Sequence, residues 1–330
     1  ESSISNIIAR VTEGGSSYID GMISSAISGA NLYFINPSGV VFGKNASLDI
    51  KGSFYVSTAD YLKLSDGGKF NATNPSDTVL TVATPSAFGF LTSNPTGVSI
   101  EGSFLEVAEG KGITLVAGGI DIKNGYLYAP GGQINLAAVA SAGEAAITSS
   151  GISVDAFSNF GDINISHTDS TRQTRNGNAI GNLDVSSTIA GAGNIYISGG
   201  KFITDGGQVC ADTYGGGNGG GININVTGAI SVTSGSQITS NTSSSGKAGD
   251  ITITTESLTL TGNSLIGASA LEDSTGDAGN VSIKASSTVN LSGHYYNNGV
   301  DSSSGIYTHR IASGTGASAG CLMGVSACRV

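Results

Sequence analysis

The chain is 330 residues long (32.7 kDa) and carries 51 Gly, 14 Lys and Arg, 24 Asp and Glu, and a net charge of −10. So much Gly, so few charges and a mean hydropathy of +0.12 exclude a helical bundle and a solvated acidic tail; five Pro and no Gly-X-Y period exclude collagen. The five Arg (Arg10, Arg172, Arg175, Arg310 and Arg329) form no basic stripe, so nucleic acid is not an expected partner.

The sequence opens on Glu1, without a Met, a basic segment or an apolar leader, which reads as a removed signal peptide or a fragment. The first distinctive element is Asn36-Pro37-Ser38-Gly39, set between the apolar runs Leu32–Ile35 and Val40–Phe42. Pro presets φ at the second turn position and Gly supplies positive φ, so a tight turn is expected, which can double as a recognition surface. Alternating runs follow at Leu48–Ile50, Val98–Ile100, Ile113–Leu115 and Ile120–Ile122. Successive side chains of a strand point to opposite sides, so each run reads as a strand. The loops between them carry Pro75, Pro85 and Pro95, and every Pro lies at or before Pro130. Residues 1–148 therefore read as a specialised module.

From Gly132 onward a pattern repeats. Gly, followed by a polar residue or a second Gly, precedes an alternating strand at Ile134, Ile163, Ile195, Ile222, Ile251 and Val281, with lags of 29, 32, 27, 29 and 30 residues. A second strand is expected after several copies, at Ile152–Val154, Ile230–Val232, Leu258–Leu260 and Val289–Leu291, and a third at Gln237-Ile238 and Leu265-Ile266. Three short strands per repeat specify a β-solenoid whose coils bury their apolar residues only by stacking. A β-sandwich would want hairpins every 8–12 residues, and a propeller blade needs ~40 residues. The expected fold is thus all-β, a single-stranded parallel β-helix of about 11 coils, ~50 Å long. Residues 149–318 are its generic coils, and 319–330 an irregular tail.

The chemistry-bearing residues are sparse. Asp155, Asp162 and Asp169 are spaced by seven, which does not bring them to one point of a coil, so no catalytic pair is expected. Asp162, Asn194, Asp250 and Asn280 stand just before strands and read as a ladder of turn-capping residues. His167, His294 and His309 are scattered and read as loop residues; Cys210, Cys321 and Cys328 form no CxxC pair. Neither a metal site nor a disulfide framework is expected, and no cofactor. Gly215–Gly221 lacks the Asp of calcium-binding nonapeptides and reads as a flexible connection. The sequons at Asn45 and Asn71 read as chance matches. No run of 18 apolar residues occurs, so no membrane-spanning helix is expected.

A family resemblance covers Ile4 to Ala146. Ile7–Thr12, Ile19–Gly21, Gly29–Tyr33, Ile35–Gly43, Asn45–Asp49, Gly52–Phe54, Val56–Asp60, Pro85–Phe90 and Ala129–Leu136 resemble the amino-terminal secretion domain of filamentous-haemagglutinin-like exoproteins of the two-partner secretion pathway, also named the haemagglutination activity domain. The resemblance implies a right-handed parallel β-helix whose opening strands precede Glu1. It implies a partner transporter in the outer membrane, and carries its turn motif onto Asn36, Pro37 and Gly39, with Ser38 in place of the family's second Asn. The expected protein is a secreted, non-enzymatic, adhesin-like passenger at the surface of a Gram-negative-type bacterium, with a host or neighbouring-cell surface ligand as a second partner. A carbohydrate-active β-helix enzyme and a carrier stalk for a distal toxin or protease are the alternatives.

Overall fold

The computed structural model describes residues 4–175, 177–272, 274–297 and 300–308; Cys321, Cys328, His309 and the 319–330 tail lie outside the described residues. Short strands wind through three faces. On the first face Asn6–Arg10, Asn31–Ile35, Phe54–Ser57, Gly112–Ala117, Gln133–Ala138, Asn194–Gly199 and Gly221–Val226 stack in parallel, capped by the first halves of Asp250–Leu260 and Val281–Leu291. The second halves of those two strands lie on the second face. They continue Ser17–Ile19, Val40–Phe42, Val98–Glu101, Ile120–Lys123, Ile163–Ser166, Phe202–Asp205 and Ala229–Thr233. The third face runs Phe104–Glu106, Tyr126–Tyr128, Leu183–Asp184, Gln208–Cys210, Gln237–Thr239, Leu265–Gly267 and Gly305–Tyr307. Every pair named here is parallel, as expected of a parallel β-helix.

Register explains the core. Ile7, Leu32, Phe54, Ile113, Ile134, Ile195, Ile222, Ile251 and Val281 are successive partners on the first face, one inward column through the molecule. Leu105, Leu127, Leu183, Val209, Ile238, Ile266 and Ile306 form the matching column on the third. These columns meet in a single buried cluster. A one-residue slip would turn a whole column outward, so the apolar alternation fixes the register.

The corner before the first face demands Gly. A Cβ on Gly193 would lie 1.9 Å from the Gly132 carbonyl oxygen, and one on Gly279 2.1 Å from that of Gly249. The Gly215–Gly221 run behaves likewise: a Cβ on Gly215 would meet Ala190 O at 2.2 Å. The expected flexible connection is instead a close approach of backbones between coils.

Two expectations from the repeat are corrected. Ile163–Ser166 is not a copy of the leading strand, for it pairs with Ile120–Lys123 and Phe202–Asp205 on the second face. Ile134 pairs directly with Ile195, because residues 139–162 leave the solenoid. Accordingly Ile152–Val154 supplies no coil strand. Gly151–Ser153 pairs antiparallel with Gly143–Thr148, the start of an outer sheet that continues through Pro85–Phe90, Tyr61–Leu64 and Lys69–Asn71. The alternation looked the same in sequence because inner and outer strands each bury one face.

The outer sheet covers the first face with its own core, in which Leu62, Phe88, Phe90, Ala145 and Phe157 pack on Tyr33, Ile35, Val116 and Ala137. Tyr33 and Tyr55 stack with ring centroids 4.2 Å apart. Glu144 reaches across Pro85–Phe90 to the strand Tyr61–Leu64, accepting Tyr61 Oη at 2.9 Å and Lys63 Nζ at 2.7 Å. Arg10 reaches up from the first coil over the Phe70 ring, 4.3 Å from its centroid.

The inner column sets a clear mutational contrast. Ile195→Ala, at a fully buried position, is expected to cost ~2–5 kcal/mol. Ile203→Ala, outward-facing and 36% exposed, should stay within about 1 kcal/mol. Urea unfolding of both variants checks this; equal losses would contradict the inward column.

Candidate functional site

The Asn36-Pro37-Ser38-Gly39 segment joins the first-face strand Asn31–Ile35 to the second-face strand Val40–Phe42. Gly39 N donates to Asn36 O at 3.1 Å, closing a four-residue turn, and Gly39 takes φ +105°, a region other residues avoid. Ser38 N donates to Asn36 Oδ1 at 2.9 Å, so the Asn side chain braces its own turn.

The same side chain clamps the coils. Asn36 is 1% exposed, and its Nδ2 donates to Gly15 O at 2.8 Å and Ser17 Oγ at 2.9 Å in the preceding coil. On the other side Asn36 N donates to Ser57 O at 3.0 Å, and Thr96 Oγ1 donates to Pro37 O at 2.6 Å. Asn36 is therefore saturated, and Gly39 is buried. Of the four candidate residues only Pro37 and Ser38 keep part of their surface open. The structure thus divides the motif into two residues that build the turn and two that a partner can touch. Gly15, Ser17 and Thr96 complete the clamp; no local sequence signal marks them, because they come from other coils.

The carboxylates named from sequence do not converge. Asp155 accepts Ser153 Oγ beside the outer sheet, Asp162 caps Lys201 N at 3.0 Å on the second face, and Asp169 lines a separate polar groove. Asp162 consequently leaves the capping ladder. Asn280 does join Asp250 as expected, donating through N and Nδ2 to Asp250 Oδ1 at 2.8 and 3.1 Å. His167, expected in a loop, is buried at 9% exposure, and the Cys210 thiol is buried, which pushes its pKa well up.

Sequence reasoning missed the pair Asp184 and Asp212, on consecutive coils of the third face. Asp184 accepts Gly181 N at 2.9 Å and Ser186 N at 2.8 Å; Asp212 accepts Asn241 N at 2.7 Å and Thr239 Oγ1 at 3.2 Å. Burial pushes Asp184 up to about 7 and Asp212 up to about 6, against the hydrogen bonds that favour their anions. Both oxygens of each are engaged in bracing corners, a structural rather than a catalytic posture. Among the described residues no group of three His, Cys, Asp or Glu could hold a metal ion, and no helix is long and apolar enough to cross a membrane.

Two predictions follow from these contacts. Asn36→Ala removes the bonds to Gly15 O and Ser17 Oγ and unbraces the turn, and is expected to cost ~1–3 kcal/mol in urea unfolding. Asn36→Ala at wild-type stability would show that the clamp carries no load. Second, a carboxyl raised in the folded state binds its proton more tightly there, so its contribution is greatest below the ordinary carboxylate range. That contribution is lost as pH rises through 6–7. Between pH 5 and 8 wild type should lose on the order of 1–3 kcal/mol relative to Asp184→Asn, read from unfolding midpoints at both pH values.

A family model described as TPS secretion domain matches residues 1–197. No curated protein matches the chain.

Proposed function

The chain belongs to the TPS secretion domain family, the two-partner secretion exoproteins, and on that premise we propose that it is an adhesin-like surface passenger recognised by an outer-membrane transporter through the Asn36–Gly39 turn. In this reading it is secreted from a Gram-negative bacterium and is not an enzyme. Residues 1–148 hold the recognition module, and the coils of 149–318 serve as a rigid spacer presenting whatever touches a host or neighbouring cell.

The observation that carries the reading is the division of labour in the turn. Asn36 and Gly39 are locked between coils, while Pro37 and Ser38 stand at the corner with surface to spare. A rigid turn suits recognition, since little conformational entropy is lost when a partner seats on it. Three further features support a passenger that is exported unfolded and folds by stacking. Outside the outer sheet its strand pairs run coil to coil, the described Cys210 is a free thiol, and its buried carboxylates brace corners. Each added coil buries apolar surface on a finished template, which makes return unfavourable without any nucleotide at that membrane.

The test separates recognition from folding. Ser38→Lys and Pro37→Ala alter the open surface of the turn and leave the Asn36 bonds in place. In the full-length exoprotein, expressed with its cognate transporter, a contact worth ~1.4 kcal/mol would lower export about tenfold. Thermal unfolding of the purified chain should stay near wild type. Unchanged export by both variants would remove the turn from the recognition surface.

A further inference from the structure

His167 follows the second-face strand Ile163–Ser166 at the corner where segment 167–182 departs from the coil and returns at Leu183. Its ring packs edge-on against Tyr126 of the preceding coil, with centroids 5.7 Å apart and planes at 73°. Its Nδ1 lies 3.3 Å from Asn182 Nδ2, and its buried Nε2 has no hydrogen-bond partner.

Asn182 is fully buried and its amide orientation is fixed by its other bonds. Its Oδ1 accepts Gln208 N at 3.1 Å and Arg172 Nη1 at 3.1 Å, while Nδ2 donates to Gly125 O at 2.8 Å. The amide therefore presents N–H to the imidazole, and Nδ1 must be the acceptor. Arg172 also donates to Gly206 O, and Gln173 N reaches Tyr126 Oη at 3.3 Å. One imidazole thus sits among the bonds that hold Arg172, Gln173 and Asn182 to the coils on either side.

We propose that His167 is a proton-sensitive clasp: protonation turns Nδ1 from acceptor into donor against the Asn182 amide and loosens residues 172–173 and 180–182 from the solenoid. The charged and titratable surroundings agree. Arg172 opposes a second cation, while the Asp169 carboxylate and main-chain groups of Thr171 and Asp169 favour it. Tyr126 offers its ring edge from below. Asp205, in the coil above, accepts His167 N through its main-chain carbonyl at 2.9 Å and turns its carboxylate to Thr233 Oγ1. Burial first, and Arg172 second, hold the imidazole below its ordinary value. A base depressed in the folded state keeps its clasp above the unfolded value of 6.5 and loses it as pH falls through the folded one. Thr171 and Gln173 line a polar groove of about 600 Å³ together with Lys44, Lys123, Glu101 and Asp169, so acid would widen that groove.

Amide hydrogen exchange on the whole chain at pH 7.5 and 5.0, corrected for intrinsic rates, reads the clasp at Gln173 and Gln208, whose amides donate to Tyr126 Oη and Asn182 Oδ1. Protection there should fall by up to about tenfold per pH unit below the folded titration point, while Ile195 and Ile222 hold theirs. His167→Asn keeps an acceptor facing Asn182 and cannot take the proton, so its protection should not change with pH. Equal acid loss in that variant, or none in wild type, overturns the proposal. A wild-type imidazole C2-proton that titrates at or above 6.5 overturns it as well, whether or not the variant folds.

Discussion

Everything in this molecule depends on one constraint: each coil must place its amides, carbonyls and apolar side chains over those of the coil beneath. A strand of three to six residues cannot bury itself. Stacked in register, its main chain is bonded on both sides and its Ile or Leu joins a column sealed from water. The constraint reaches the corners, where backbones approach so closely that Gly193 and Gly279 leave no room for a methyl group. It also explains the low charge, since a chain whose neighbours are its own coils has little use for ion pairs.

Where a polar group enters the corners it becomes a crosslink. Asn36 and Asn182 sit at different corners yet do the same work, each bonding the coil below through Nδ2 and accepting main-chain N–H through Oδ1. Asp212 bonds the next coil with its carboxylate, whereas Asp184 braces its own corner through Gly181 N and Ser186 N, and the cost of burying them shows in their raised proton affinity. A short amide or acid on a rigid corner can reach both neighbours without long-side-chain entropy loss. In the Asn36 turn this fuses two roles: the residue most diagnostic of the motif is the one least available to a partner.

The winding itself was legible in the sequence, because inward columns force a period-two pattern and corner glycines force a repeat. Val98–Ile100, Ile120–Ile122, Ile230–Val232 and Leu265-Ile266 all occupy coil strands as expected. The assignment of strands to faces was less legible. Gly161-Asp162-Ile163 has the same local chemistry as Gly193-Asn194-Ile195, but only the intervening excursion 139–162 tells which face it reaches. The outer sheet was hidden for the same reason, its pairs joining segments far apart in the chain. Of the candidate site, the turn and its Gly were readable from residue types; the partners Gly15, Ser17 and Thr96, and the burial of His167, arise from stacking and leave no local mark.

The interleaving of the outer sheet also sets an order of events as the chain folds. Pro85–Phe90 is flanked on one side by Tyr61–Leu64, made earlier, and on the other by Gly143–Thr148, made more than fifty residues later. Until that later strand and Phe157 arrive, Phe88 and Phe90 lack half their neighbours, and the growing polypeptide carries an open, sticky seam. The solenoid below can lengthen one turn at a time, but this lid closes only by a long-range encounter. A slow step is thereby built into an otherwise local assembly.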